Sequence, residues 1–103
     1  MSSEDSSGEQ GRIMRRRESN LDLFREAEEV KELKDGYAFR FNDTQEQLAA
    51  ILALISSERE CAPLLTFELQ FAPQRGPLWL RIRGPEGVKA YIKGGLSAPR
   101  HLT

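Results

Sequence analysis

Cys61 and His101 are the only cysteine and the only histidine of this chain, so nucleophilic, redox or soft-metal chemistry has to begin with them. Together they fall short of the four ligands of a structural zinc site, and one cysteine cannot close an internal disulfide. Cys61 stands in Glu58-Arg59-Glu60-Cys61-Ala62-Pro63, where a helix runs into a proline. A thiol at a helix C-terminus meets the negative end of the macrodipole, which opposes its use as a nucleophile unless an arginine such as Arg59 or Arg81 comes close. His101 lies in a Gly-, Ser- and Pro-containing terminus, too far from order to serve as a partner base. Cys61 is therefore expected to pack as a small apolar residue. The alternative is a single-thiol sensor or carrier of soft metals or electrophiles, built on the helix-end residues Glu58, Arg59 and Cys61.

The carboxylates do not assemble acid–base chemistry. Glu58 and Glu60 flank the helix end, Glu68 lies in a strand opposite Arg81, and Glu86 sits early in a last helix, so each has a structural role. A catalytic pair needs two environments that push two pKa values apart, and nothing in the pattern provides them. Gly84-Pro85-Glu86-Gly87 lacks the glycine spacing with Lys and Ser or Thr that cradles phosphate, and Asp35-Gly36 is turn chemistry. The sequence thus points to a non-enzyme with neither a metal nor a cofactor.

The elements that carry these residues follow from periodicity. Thr44 with Gln47 three positions on has capping-box spacing, and Leu48, Ile51, Leu52 and Ile55 then share a helical face that Pro63 ends near Cys61. Projecting that face forward puts Arg59 on its centre line, its stem over the sheet and its head at the rim. Leu65, Phe67, Leu69 and Phe71 alternate with polar residues, as do Leu78, Leu80 and Ile82 beyond a six-residue loop, 72–77; this predicts an antiparallel hairpin. Placing Phe71 opposite Leu78 sets Leu69 on Leu80, Phe67 on Ile82 and Glu68 on Arg81, which suits both faces. Leu21, Phe24, Ala27 and Val30 suggest a helix in residues 20–33, yet Lys34-Asp35-Gly36 followed by the alternating Tyr37–Phe41 calls for a hairpin. The segment is read as a short helix followed by a strand from about Glu29 to Leu33. Gly84-Pro85 opens a last helix, proline first, with Val88, Tyr91 and Ile92 inward and Gly94 as its stop. The expected fold is α+β, order α-ββ-α-ββ-α: a mainly antiparallel four-stranded sheet with helices on one face. Phe39-Arg40-Phe41 before one helix echoes Leu80-Arg81-Ile82 before the next and suggests two similar ββα units.

One domain fills residues 19–93, between tails 1–18 and 94–103 whose composition supports no core. Arg12, Arg15, Arg16 and Arg17 in the first tail are balanced by Glu4, Asp5, Glu9 and Glu18. The net charge of −1 over 103 residues disfavours nucleic acid. No run nears the roughly 20 apolar residues of a membrane span, and the polar start has no signal-peptide core; a cytoplasmic location is expected. Alternation leaves Arg40, Thr66, Glu68, Gln70, Trp79, Arg81 and Arg83 on the sheet face away from the helices. Trp and Arg are the residue types that most often anchor binding, so Trp79, Arg81, Arg83, Arg40 and Glu68 are the candidate binding residues. Tyr37, Phe39 and Phe41 are assigned to the core, which leaves too few aromatics for an RNA-stacking platform. The partner classes left open are a protein, a small ligand, or a second copy of the chain.

Several blocks resemble a family: Leu33-Lys34-Asp35-Gly36-Tyr37-Ala38-Phe39-Arg40-Phe41, Glu58-Arg59-Glu60-Cys61-Ala62-Pro63-Leu64, Phe67-Glu68-Leu69, Gly76-Pro77-Leu78-Trp79-Leu80-Arg81 and Gly84-Pro85-Glu86-Gly87-Val88-Lys89. They look like a group of small bacterial proteins without established function whose helix ends in Glu-Arg-x-Cys-Cys-Pro-Phe. The resemblance covers residues 28–92 and implies a vicinal dithiol at the helix end. Here Ala62 takes the place of the second cysteine and Leu64 that of the aromatic, so the dithiol is absent.

Overall fold

The computed structural model describes residues 2–97, with side chains for residue 8 and residues 10–97. The alternating runs form strands β3 (Thr66–Phe71) and β4 (Leu78–Arg83) in the expected antiparallel register, Phe71 on Leu78, Leu69 on Leu80, Phe67 on Ile82 and Glu68 on Arg81. The residues after Lys34 form a second hairpin, β1 (Glu29–Leu33) and β2 (Gly36–Phe41). Its loop is Lys34-Asp35, and Gly36 is the first residue of β2 rather than a turn residue. Strand order β1-β2-β4-β3 makes one antiparallel four-stranded sheet among the described residues.

β2 and β4 lie side by side at the centre, with Phe39 paired to Leu80. These two residues are counterparts in the sequence echo, and the order β1-β2-β4-β3 places the two hairpins on either side of them, though the helices that follow differ in length, 17 residues against 6. Tyr37, Phe39 and Phe41 share a face with Ile82, Leu80 and Leu78, because directly opposed residues in an antiparallel ladder point the same way. Phe41, Leu78, Leu80 and Ile82 are fully buried on that face, each contributing about 1.5–3 kcal/mol of burial.

Helices α1 (Ser2–Arg25), α2 (Gln45–Cys61) and α3 (Val88–Lys93) complete the order α-ββ-α-ββ-α. Thr44 caps α2 by accepting from the Gln47 N–H at 3.1 Å. The capping box is only half made, since the Gln47 amide donates to Glu26 at 3.4 Å instead. The helix stops at Cys61, with the Ala62 N–H closing onto the Glu58 carbonyl at 2.8 Å.

Four further sequence expectations need correction. Residues 2–18 belong to α1, and this helix is pinned to the rest of the chain from Arg16 onward by the contacts given below. The buried stripe of α2 runs through Ile51, Leu54 and Glu58, so Leu52 is 49 % exposed and Arg59 is exposed beside the stripe. α3 begins at Val88 rather than Pro85, because Gly87 at φ 96° reverses the chain in a conformation that no helix passes through. Gly95, Leu96 and Ser97 are buried, and Leu96 joins the core cluster. The rest of the C-terminal tail, His101 included, lies outside the described residues.

Candidate functional site

The face turned away from the helices is built by the alternate residues of four strands. β4 contributes Trp79, Arg81 and Arg83, β3 contributes Thr66, Glu68 and Gln70, and β2 contributes Arg40, as alternation predicts. Trp79 is half-buried and has two cations near its ring, Lys31 Nζ 5.0 Å and Arg81 Cζ 6.0 Å from the centroid. Both distances are within cation–π range. Lys31 was missed by the sequence reading. Its signal was available, since β1 pairs Glu29 with Arg40 and Lys31 with Ala38, one row from Trp79.

The charges around this ring pair diagonally. Glu68 is opposite Arg81 in the register, yet its carboxylate accepts from Arg83 Nε at 2.8 Å while Arg83 Nη1 reaches Asp35 at 3.0 Å. These bonds, Glu68 first and Asp35 second, hold the Arg83 guanidinium above the ordinary arginine value. Arg81 donates to Gln70 Oε1 at 2.8 Å and has no carboxylate partner among the described residues. Arg40 is 3.6 Å from Glu29 and 3.9 Å from Glu28, and its buried Nε makes no hydrogen bond. Lys31 Nζ is 3.9 Å from Glu29, so among the described residues Arg81 is the cation of this face least engaged with acid, and both cations lie near its single large aromatic.

The helix-end candidates do not form one site. Glu58 is completely buried, where it accepts from Asn20 Nδ2 at 3.2 Å, from the Ser97 N–H at 2.8 Å and from the Ser97 hydroxyl. Arg59 points to solvent on another side of α2, and Glu68 is across the sheet. Cys61 is half-buried, and Arg16 Nη1 is 3.5 Å from its sulfur. The cationic neighbour comes from α1, in a segment whose composition gave no reason to expect structure; Arg59 and Arg81 do not supply it. No group of three or more His, Cys, Asp or Glu residues is arranged to hold a metal ion among the described residues.

No protein-family model matches the chain, and no curated protein or solved structure matches it. Among the described residues no helix is long and apolar enough to cross a membrane.

Proposed function

We propose that this protein is a small non-catalytic interaction module whose recognition surface is the uncovered sheet face around Trp79. The observation that carries the reading is the Trp79 ring with the Lys31 and Arg81 cations close to it, on a surface that no described helix covers. A rigid aromatic with incompletely neutralised cations near it suits a partner that offers a flat apolar group beside a carboxylate or phosphate, such as an acidic peptide segment. The non-catalytic part is supported by the placement of the carboxylates: Glu58 is bonded within the core and Glu68 to Arg83 on the other side of the sheet, so the two do not form an acid–base pair. A cytoplasmic setting is part of the reading, supported by a lone cysteine. The test is retention from an extract of the source cells on immobilised wild type, Trp79→Ala and Cys61→Ala. A partner kept by wild type and Cys61→Ala but lost by Trp79→Ala supports this surface; one lost only by Cys61→Ala overturns it.

A second reading, a single-thiol sensor of electrophiles or soft metals, is favoured by the Arg16 guanidinium at the Cys61 sulfur. A cation in that position is what nucleophilic use of a thiol requires. Native-state alkylation of Cys61 that is fast, and slowed about tenfold by Arg16→Ala, supports this reading. Modification that waits on unfolding removes it.

A further inference from the structure

Among the described residues β3 is an edge strand, bonded on one side only, to β4. The phase of that ladder is fixed by the bond from the Ala72 N–H to the Pro77 carbonyl at 3.2 Å, one step beyond the Phe71–Leu78 pair. Bonded and non-bonded pairs alternate in an antiparallel ladder. Thr66, Glu68 and Gln70 therefore use their main-chain groups on β4, while Phe67, Leu69 and Phe71 turn their N–H and C=O to the open edge. The same three residues carry their side chains on the helix side, and there they are incompletely covered: Phe67 and Leu69 are half-buried and Phe71 is 54 % exposed.

The two edges of the sheet are not equivalent. β1 has Glu29, Lys31 and Glu32 among five residues, the charged composition that keeps an edge from pairing. β3 has one charge in six residues, Glu68, and Arg83 engages it. Neither proline nor lysine interrupts β3. Self-recognition is the use that such an edge fits best, because its pattern of donors and acceptors is complementary to itself when turned by a two-fold.

We propose that two copies of this chain pair antiparallel through β3, with Leu69 opposite its own counterpart, to form a continuous eight-stranded sheet. Keeping the helices of both copies on one side requires outward-bonding residues to oppose each other. Two registers do so near the middle of the strand. Centring on Glu68 opposes two carboxylates and sets Phe71 against Leu65, beyond the strand end. Centring on Leu69 brings the free main-chain groups of Phe67, Leu69 and Phe71 all into use, sets Phe67 against the second copy's Phe71, and sets Glu68 against the second copy's Gln70. The pairing does not depend on the Trp79 surface, though it joins two such surfaces into one.

Sedimentation velocity on the wild-type chain should give twice its 11.7 kDa mass, with dissociation strengthened at least tenfold by Phe71→Lys, a substitution at an exposed position. In a Cys61→Ser background, Glu68→Cys combined with Gln70→Cys should give a covalent dimer on mild oxidation, since facing non-bonded pairs have Cα atoms about 4.5 Å apart, inside disulfide range. Hydrogen exchange of the wild type adds a readout free of substitutions: the Phe67, Leu69 and Phe71 amides should become protected as the dimer forms. A monomer at all concentrations, a dimer indifferent to Phe71→Lys, free exchange of those three amides in the dimer, or cross-linking by Glu68→Cys alone would each overturn the proposal.

Discussion

Glu58 grips Ser97 at two points, its Oε1 accepting the Ser97 N–H at 2.8 Å and its Oε2 the hydroxyl. This clasp closes the chain after α3 onto α2, and Asn20 of α1 joins it by donating to both Glu58 and the Gly95 carbonyl. Gly95, Leu96 and Ser97 lie at φ 91°, 60° and 59° in succession, a conformation free for the glycine and strained for the other two. For Leu96 and Ser97 that conformation costs about 1–2 kcal/mol each. Burial of Leu96 and the bonds to Glu58 offset it.

Replacing Glu58 by alanine strands the Ser97 N–H and one Asn20 bond in the interior, and should lower stability by about 3 kcal/mol. Ser97→Gly loses one hydrogen bond but relieves a left-handed backbone, so its net effect should stay within about 1 kcal/mol. Urea midpoints of the two variants measure the difference. Equal losses would show that the carboxylate is not what holds the loop.

Gly36 serves by close approach and not by turning the chain. A Cβ there would lie 1.8 Å from the Ile82 carbonyl oxygen and 3.0 Å from the Arg83 Cα, both main-chain atoms of the neighbouring strand. β4 is central and cannot withdraw without breaking its bonds to β3. Gly36→Ala should therefore cost about 3 kcal/mol, in contrast to Gly8→Ala, where nothing lies within 4 Å. Thermal unfolding of the two alanine variants gives the comparison, and similar melting temperatures would refute the close-approach reading.

The β3–β4 register could be read pair for pair because two constraints agreed: apolar residues matched on one face while Glu68 met Arg81 on the other. The phase of α2 could not be read so closely. Leu48, Ile51, Leu52 and Ile55 fit a stripe centred on either side of Ile51, and the choice was made by Glu58, whose burial depends on Asn20 and Ser97 from distant parts of the chain. A glutamate in a core position leaves no trace in periodicity. The same cause hid the order of residues 95–97 and the approach of Arg16 to Cys61, since polar composition predicts solvation unless a buried partner is known. The composition of the sheet face away from the helices was largely legible because alternation alone defines it; its diagonal pairing, Glu68 with Arg83 and Arg81 with Gln70, was not, because strand alternation gives facing pairs and says nothing of where long side chains reach.

Glu32 gives the protein a pH-dependent contact. Lys89 Nζ donates to its carboxylate at 2.7 Å, and that bond, with the charge of Lys89, holds the Glu32 carboxyl below the ordinary glutamate value. The native state thus favours the ionised form more than the unfolded chain does. The resulting stabilisation is complete above the unfolded pKa and disappears as pH falls through the lower, folded one. The site is exposed, so the effect is small. Wild type should lose more stability than Glu32→Gln between about pH 6 and pH 3, as read from urea midpoints; parallel losses would mean that the contact contributes nothing.

Trp79 is the only tryptophan, so its fluorescence reports on the uncovered face without labelling. With Lys31 5.0 Å and Arg81 6.0 Å from the ring, the local potential should concentrate anions. Iodide should then quench more efficiently than a neutral quencher such as acrylamide, by roughly twofold at low ionic strength, with the excess disappearing in salt. Lys31→Gln with Arg81→Gln should reduce the iodide-to-acrylamide ratio to the value of free tryptophan and leave the acrylamide constant nearly unchanged, because the substitutions remove charge and little bulk. Arg83→Gln should change the ratio much less, since Arg83 stands four residues along β4 from Trp79 and the cations at the ring are Lys31 and Arg81. If Arg83→Gln lowers the ratio as far as Arg81→Gln does, nearness to the ring does not decide which cations draw an incoming anion.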